Sequence, residues 1–473
     1  MTAPVTFGAL NRLATHDMHS APGRPNSRGT EGIEVTEEYD AVSRQLQSGV
    51  PIVLVSGKAG TGKSTLINHL RDTLKGNTVV LAPTGVAAIN VKGATIHSFF
   101  HFPPRIINDD DISQARDRRL YANIDLLVVD EISMVRADLL DAMDKFLRLN
   151  GRRNDQSFGG TQLLLVGDLF QLPPVVSRAE EGILLSRKYT SPYFFSARSL
   201  HECEFEHVEL RKGFRQQDPE FVELLDKIRV AEQLEDALPV INARYPGPGA
   251  DHAQIITLTC TNAAADKINR TELDRLSGQP GIFVGETSGT FSIEEERLPA
   301  PHSLRLKPGA QVMFVKNAEG VAGRRRWVNG TLGRVVGWKE QSIQVELLTE
   351  QPGTVQDVHR AVWEAYRYEY DYAAEKVVPT VTGRYTQFPL MLAWAVTIHK
   401  SQGKTLEKVR VDLGTGAFSP GQVYVALSRC RSLADTLLAR PIREQEIKCD
   451  PRIKRFYLAL TDLRNGPPPP GSR

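Results

Sequence analysis

The sequence predicts an α/β protein built on two parallel sheets, the second interrupted by a small β-barrel. Three observations predict this. A β-branched apolar strand, Ile52 to Val55, runs into a glycine-rich loop and then a helix. Further apolar strands, Thr78 to Ala82, Leu126 to Val129 and Leu163 to Val166, each end in polar or acidic residues, where open parallel sheets carry their ligand groups. Short alternating strands, with Asn329-Gly330 as a tight-turn signal, break into a second α/β set.

In chain order, residues 1 to about 30 are rich in Pro, Gly, Ser and Thr and read as a flexible tail without the apolar core of a signal peptide. Thr36 with Glu37 and Glu38 reads as a helix start. A first α/β domain is expected over residues 31–200. The second set begins at Ile255 to Cys260, resumes at Leu392 to Trp394, and continues through Val409 to Leu413 and the segment Gly421 to Arg429. It spans 201–309 and 386–462. Between its pieces, Gln311 to Val315, Gly330 to Gly337 and Ser342 to Leu347 predict an inserted β-barrel over 310–385. Residues 463–473, with a proline run, form a second tail.

Composition narrows the function classes. A chain of 473 residues suggests two to four domains, and 41% hydrophobic with 24% charged residues is an ordinary globular balance. No apolar run approaches the ~20 residues of a membrane span, so no membrane partner is expected. Net charge is +2, so a nucleic-acid surface has to be a local patch. Cys203, Cys260, Cys430 and Cys449 are far apart and argue against a disulfide framework or zinc site, which fits a reducing cytoplasm. No repeat of 20 to 50 residues is present.

The loop Gly57-Lys58-Ala59-Gly60-Thr61-Gly62-Lys63-Ser64, followed by Thr65, fills every position of the phosphate loop. Glycines let backbone N–H groups turn inward around a triphosphate. Lys63 reaches the β- and γ-phosphates, Ser64 ligates Mg²⁺, and the helix bearing Leu66, Ile67, Leu70 and Leu74 points its N-terminus at the phosphates. Asp130 and Glu131 end the next loaded strand, Asp130 as Mg²⁺ ligand and Glu131 as the group that orients or deprotonates water. Gln171, in Gly167 to Pro174, reads equally as a γ-phosphate sensor or as part of a polar loop. Arg215 and Arg429 have the planar, permanent charge of arginine fingers, and also the type of any solvated surface arginine.

The order of these motifs resembles the superfamily-one helicases, specifically the Pif-type (petite integration frequency) DNA helicases. The likeness covers about residues 33 to 460. Thr397 to Gly403 and Val425 to Arg429 supply its fifth and sixth motifs, and Phe158 to Leu163, with Asp141 to Lys145 upstream, resembles the segment that separates Pif-type enzymes from RecD-like relatives. The resemblance implies two RecA-like domains, a wedge-bearing insertion at about 96–121 and an SH3-like barrel in the second domain. It implies that Gln171 is the sensor and that Arg215 and Arg429 are fingers from the second domain. It also implies ATP and Mg²⁺ as cofactors, 5′-to-3′ movement on single-stranded DNA, and unwinding of duplex or forked DNA near the nucleoid. Pro83, Thr84, Gly85, Thr95, His97 and Ser98, with Thr397, His399, Lys400 and Ser401, fall where the family touches DNA. Two positions depart: Tyr39 stands near the family's adenine-reading glutamine, and Ser157 where a proline often precedes Phe158.

Small and aromatic contacts suit a channel that grips backbone and stacks bases without reading sequence. Phe99 and Phe102 read equally as stacking platforms or core, and Arg324 to Arg326 beside Trp327 as a solvated turn before a DNA contact. Three other readings stay open: a phosphate-loop ATPase that remodels proteins, a nucleotide-gated DNA-binding switch, and a DNA-stimulated translocase or RecD-like helicase.

Overall fold

The structure is a computed structural model and describes residues 34–216, 218–247, 255–291, 293, 295, 298–318, 326–348 and 353–465. The tail at 1–30, the proline run after 465, and Arg324 with Arg325 lie outside the described residues. The first lobe runs α1 (Glu37–Gln47), β1 (Ile52–Gly57), α2 (Lys63–Thr73), β2 (Thr78–Ala82), α3 (Gly85–Asn90), β3 (Ala94–Thr95), α4 (Ile96–Phe100), α5 (Arg118–Ala122), β4 (Leu126–Val129), α6 (Ala137–Asn150), β5 (Gln162–Gly167), α7 (Arg178–Ser186), α8 (Arg198–His201) and β6 (Phe205–Leu210). Its strands form one parallel sheet in the order β3-β2-β4-β5-β1-β6.

Successive residues of each strand feed opposite faces. Ile52, Leu54, Leu127, Val129, Leu163 and Leu165 join one core with the aromatic residues of α4 to α6. Val53, Val55, Leu126, Val128, Leu164 and Val166 join another under α1 and α2. Burial on both faces is why these strands read as continuous apolar runs.

The second lobe begins with α9 (Pro219–Val230), α10 (Leu234–Asn242), β7 (Ile256–Thr259) and α11 (Asn262–Arg275). An insertion follows: β8 (Gly281–Val284), β9 (Glu286–Gly289), β10 (Ser303–Leu306), β11 (Gln311–Phe314), β12 (Leu332–Trp338), β13 (Ile343–Leu347), β14 (Val355–Val358), β15 (Ala361–Asp371), β16 (Lys376–Gln387) and β17 (Leu390–Leu392). The lobe resumes with β18 (Ala395–Thr397), α12 (Ile398–Ser401), β19 (Val409–Asp412), α13 (Gln422–Leu427), β20 (Thr436–Leu438) and α14 (Pro451–Asn465). Its parallel sheet has the order β18-β7-β19-β20. The insertion holds an antiparallel five-stranded sheet, β14-β13-β12-β11-β17, a three-stranded sheet, β15-β16-β9, and the pair β10-β8.

The observed boundaries differ from the expected ones at four places. β6 lies past the expected boundary at 200, yet it pairs in parallel with β1 along Ile52 to Gly57. The insertion starts at β8, ahead of 310, because β8 pairs with β10 and β9 pairs with β16. Leu392 ends a strand antiparallel to β11, and the parallel sheet resumes only at Ala395. The terminal helix α14 returns to the first lobe, where Ile453 and Leu460 join its core, and it continues to Asn465. The segment 96–121 likewise packs into that core: Phe99 and Phe102 are buried, Phe100 stacks on Phe102 at 5.4 Å, and neither Phe99 nor Phe102 is free to stack a base. Trp327 is also core, stacked on Phe314 at 4.5 Å with Arg326 over its outer face at 4.8 Å.

The segment before β5 is a fold lock. Asp144 accepts from the Phe158 N–H at 2.6 Å and is paired with Arg148 at 2.8 Å, and Arg148 also donates to the Ser157 hydroxyl at 2.9 Å. Gly159 has φ +63°, and a Cβ there would sit 2.2 Å from the Leu147 carbonyl oxygen. Gly159→Ala therefore combines a left-handed penalty of about 1–2 kcal/mol with a backbone clash, and a loss above about 2 kcal/mol is expected in urea denaturation. A loss below that would show that the lock relaxes freely.

Candidate functional site

The phosphate loop is shaped by its glycines and by what packs on them. Gly60 and Gly62 have φ of +83° and +85°. A Cβ at Gly60 would meet the Cβ of Arg215 at 2.5 Å, and one at Gly62 would meet the Tyr39 hydroxyl at 2.5 Å. Thr61 closes the turn by donating to the Lys58 carbonyl at 3.0 Å. Lys63, the first residue of α2, donates to the carbonyls of Gly57 at 2.8 Å and Lys58 at 2.9 Å. Burial pushes the Lys63 ammonium down; the charges of Asp168, Glu131 and Asp130, in that order, pull it back. Ser64 is exposed and Thr65 half-buried on the first turn of α2.

β4 delivers the two acids. Asp130 is buried and accepts from the Glu131 N–H at 2.9 Å. Glu131 takes the left-handed conformation, φ 51° and ψ 45°, which turns its side chain out of the sheet into the cleft. Burial, and then the Asp130 charge, push its pKa up to about 7, with Lys63 opposing.

β5 delivers Asp168 and Gln171. Asp168 is completely buried and accepts from Gln171 Nε2 at 3.1 Å, Arg229 Nη2 at 3.3 Å and the Tyr424 hydroxyl at 3.0 Å. The Tyr424 hydroxyl also accepts from the Ala59 N–H at 3.1 Å. Gln402 Nε2 donates to Gln171 Oε1 at 3.0 Å and Glu131 Oε2 at 3.3 Å. Lys58 pairs with Asp226 of α9 at 2.6 Å. All of these bonds except that from Gln171 to Asp168 join the two lobes.

The two arginines stand differently from expectation. Arg215 lies in the connection between β6 and α9, outside both sheets, against Gly60, and donates to the Ser428 carbonyl at 3.3 Å. Arg429 follows α13 in the second lobe but is only 1% exposed. It donates to the carbonyls of Val425, Ser401 and Lys404 and to the Ser428 hydroxyl, at 2.7 to 3.3 Å. Burial, and then Arg215, push its pKa down to about 9.

A cavity of about 2060 Å³ between the lobes brings Ser64, Asp130 and Glu131 together with Thr84, Gly85, His399, Lys400 and Gln402. Of the expected DNA set, four residues line it. Pro83, Thr95 and His97 are half-buried and Ser98 exposed, outside its lining. Thr397 and Ser401 are buried and do not face a ligand. Thr397 Oγ1 accepts from the Lys400 N–H at 3.2 Å, and the Ser401 hydroxyl donates to the Ile398 carbonyl at 2.7 Å. Their polar atoms are spent on building α12. The same device recurs at other strand ends: Thr84 caps α3, Thr95 caps α4 and Thr261 caps α11, each accepting a backbone N–H. Burial pushes His399 below its ordinary value and favours neutral imidazole.

The sequence reading missed Asp168, Arg229, Tyr424 and Gln402 as site residues. Asp168, Gln402 and Tyr424 lie inside or next to quoted motifs. Arg229 carries no such signal. Tyr39 is buried, and its hydroxyl donates to the Gly62 carbonyl at 2.7 Å, so it braces the loop and presents no polar atom to a base.

The sequence profile described as "PIF1-like helicase" matches residues 34–232, and that described as "DNA helicase Pif1, 2B domain" matches residues 292–338. Bacteroides sp Pif1 in complex with ADP-AlF4 is 35% identical, with 92% of this chain and 98% of that chain covered and a TM-score of 0.83. The chain belongs to the PIF1-like helicase family. ATP-dependent DNA helicase PIF1 of Homo sapiens is 33% identical over 436 residues, covering 90% of this chain and 64% of the relative. The chain thus spans just under two thirds of that relative's length. ATP-dependent DNA helicase RRM3 of Saccharomyces cerevisiae is 29% identical over 98% of this chain and 72% of the relative. Bacteroides Pif1 bound to ssDNA, at 34% identity and the same coverage as the ADP-AlF4 complex, gives a lower TM-score of 0.65. This family's 2B profile begins at 292, which agrees with the insertion opening ahead of 310.

Tyr39→Phe removes one hydrogen bond at the loop, and a loss of about 1 kcal/mol in thermal or urea denaturation is expected. The ratio of kcat/KM for ATP to that for GTP should not move; a changed ratio would assign Tyr39 to base reading.

Proposed function

We propose that this protein is an ATP-dependent DNA helicase that moves 5′ to 3′ on single-stranded DNA and opens duplex or forked DNA ahead of it. The observation that carries the reading is one cleft lined by Ser64 at the end of the phosphate loop, by the acids Asp130 and Glu131, and by Thr84, Gly85, His399 and Lys400. Relatives named as ATP-dependent DNA helicases, and Pif1 structures bound to ssDNA and at forked dsDNA, support the substrate.

ATP lies with its phosphates on the amides of residues 58 to 64, and Lys63 neutralises the β- and γ-phosphates. Ser64 and Asp130 line the same cavity and offer a hydroxyl and a carboxylate, a donor pair suited to a hard cation. They would hold Mg²⁺, which supplies charge neutralisation on the phosphate oxygens when bound. Glu131 orients water and takes its proton; a pKa near 7 leaves it able to accept at neutral pH. Gln171 senses the γ-phosphate. Arg215, at the loop, is the finger placed for the transition state. Arg429 reaches the phosphates only by giving up carbonyls it now holds, so it acts late or from within.

On the DNA side, Thr84 and Gly85 at the start of α3 and His399 and Lys400 of α12 face the cavity and would meet the strand's backbone. Thr95, His97 and Ser98 extend that track along the first lobe. Alternate grip by the two lobes as the cleft closes and opens gives net movement. Four free thiols suit a reducing cytoplasm, at the nucleoid where the substrate is. Protein partners are not indicated.

ATP turnover with and without single-stranded DNA separates this reading from a protein remodeller, which would be indifferent to DNA. Lys63→Ala should abolish turnover, by about 10³-fold or more, while DNA affinity in the absence of nucleotide stays near wild type. Loss of DNA binding in a folded variant would remove Lys63 from the phosphate role.

Direction is read from strand displacement on two tailed duplexes. A 5′ single-stranded tail should support unwinding with ATP and a 3′ tail alone should not. Unwinding from the 3′ tail only would overturn the polarity. Robust DNA-stimulated turnover without unwinding of either would make the protein a translocase that strips bound proteins.

A further inference from the structure

Gln402 is the residue through which the second lobe touches the catalytic carboxylate. Its side-chain nitrogen donates to Gln171 Oε1 at 3.0 Å and Glu131 Oε2 at 3.3 Å, so one amide contacts both groups on which water attack depends. Glu131 needs such support, because its left-handed backbone places it beyond the end of β4 and outside any helix. Gln402 is also fixed to the DNA side. It caps α12, and its own N–H is bonded to the His399 carbonyl at 3.1 Å. His399 and Lys400, two and three residues earlier, line the cavity with Thr84 and Gly85. Arg429 brackets it, holding the Ser401 carbonyl before it at 3.2 Å and the Lys404 carbonyl after it at 3.3 Å. In this structure the stretch from Ser401 to Lys404 is thus tied to the Arg429 guanidinium.

We propose that Gln402 is a positioning residue for hydrolysis, tying occupancy of the DNA-facing side of α12 to the orientation of Glu131 and Gln171. This rests on the helicase reading above. A strand seated on His399 and Lys400 sets the position of α12, and α12 sets the amide. At 3.0 and 3.3 Å the two bonds tolerate only a few tenths of an ångström, and a 1 Å misplacement near the reacting atoms costs up to about 10²-fold in rate.

The test is steady-state ATP hydrolysis by the full chain with and without oligo(dT), on Gln402→Ala and on Gln402→Met, which keeps length and loses the donor. DNA-stimulated kcat should fall at least about tenfold in both, with KM for ATP and affinity for oligo(dT) within about threefold of wild type. The melting temperature should be unchanged. Because Gln402 acts in part through Gln171, Gln402→Ala should cost less in the Gln171→Ala background than it does alone. Wild-type stimulated kcat in the variants would overturn the proposal. So would a loss of DNA affinity as large as the loss in kcat, or a fully additive double variant; either would make Gln402 a structural part of α12. If the wild-type chain shows no DNA-stimulated hydrolysis, the helicase reading fails and takes this one with it; normal wild-type stimulation with unaffected variants sinks this one alone.

Discussion

A carboxylate with no exposed surface, Asp168, is the constraint on which the joint between the lobes depends. Taking an ionised carboxylate out of water costs several kcal/mol unless it is paired and bonded. Asp168 meets that demand with donors from both lobes: the Phe170 N–H and Gln171 from its own, Arg229 and Tyr424 from the other. Burial alone would raise its pKa; Arg229, and then Lys63, hold it below the usual range. The Arg229 cation is itself enclosed, 4.2 Å over the Phe170 ring and 5.5 Å over Tyr457. Opening the cleft would strip this carboxylate of half its donors and leave the Arg229 cation without its partner. Closure and satisfaction of Asp168 are therefore one event, and the Tyr424 hydroxyl extends that event to the Ala59 amide of the phosphate loop.

Much of the fold was legible because its strands alternate between two buried cores. Val53 and Val55 face one, Ile52 and Leu54 the other, so the runs are apolar throughout and their ends stand out. β6 was not legible as part of the first sheet. It is an edge strand that buries only Val208, Glu209 and Leu210, and nothing in Phe205-Glu206-His207 marks which sheet it joins. The return of α14 to the first lobe was hidden for the same reason, as was the reach of the β15–β16 hairpin, whose Tyr368 hydroxyl accepts from the Val80 N–H of β2 at 3.0 Å: partner choice over hundreds of residues leaves no local period.

The site divides along the same line. Lys63, Asp130, Glu131 and Gln171 sit at strand ends, where residue type and position together announce chemistry. Gln402, Tyr424 and Arg229 matter because of what they meet across the cleft, and a residue's partner is not written beside it. Thr397 and Ser401 show the opposite case. Their type suits a DNA backbone, and in this structure their hydroxyls cap and close α12. Side-chain hydroxyls near helix starts bond their own backbone first, and only burial reveals which have any capacity left.

The lobes are joined covalently twice, once after β6 and once before α14. The outgoing connection after β6 lays the Phe214 N–H on the Gly60 carbonyl at 2.9 Å, and its Gln216 donates to the carbonyls of Ser428 and Cys430 at 3.0 and 2.9 Å. The returning connection is pinned to the first lobe where Tyr193 donates to Asp450 at 2.9 Å, just before α14. Two tethers restrict the relative motion of the lobes toward rotation about the line that joins them. Among the Bacteroides structures, identity and coverage are nearly equal, while the TM-score is 0.83 for the ADP-AlF4 complex and 0.65 for the ssDNA-bound one.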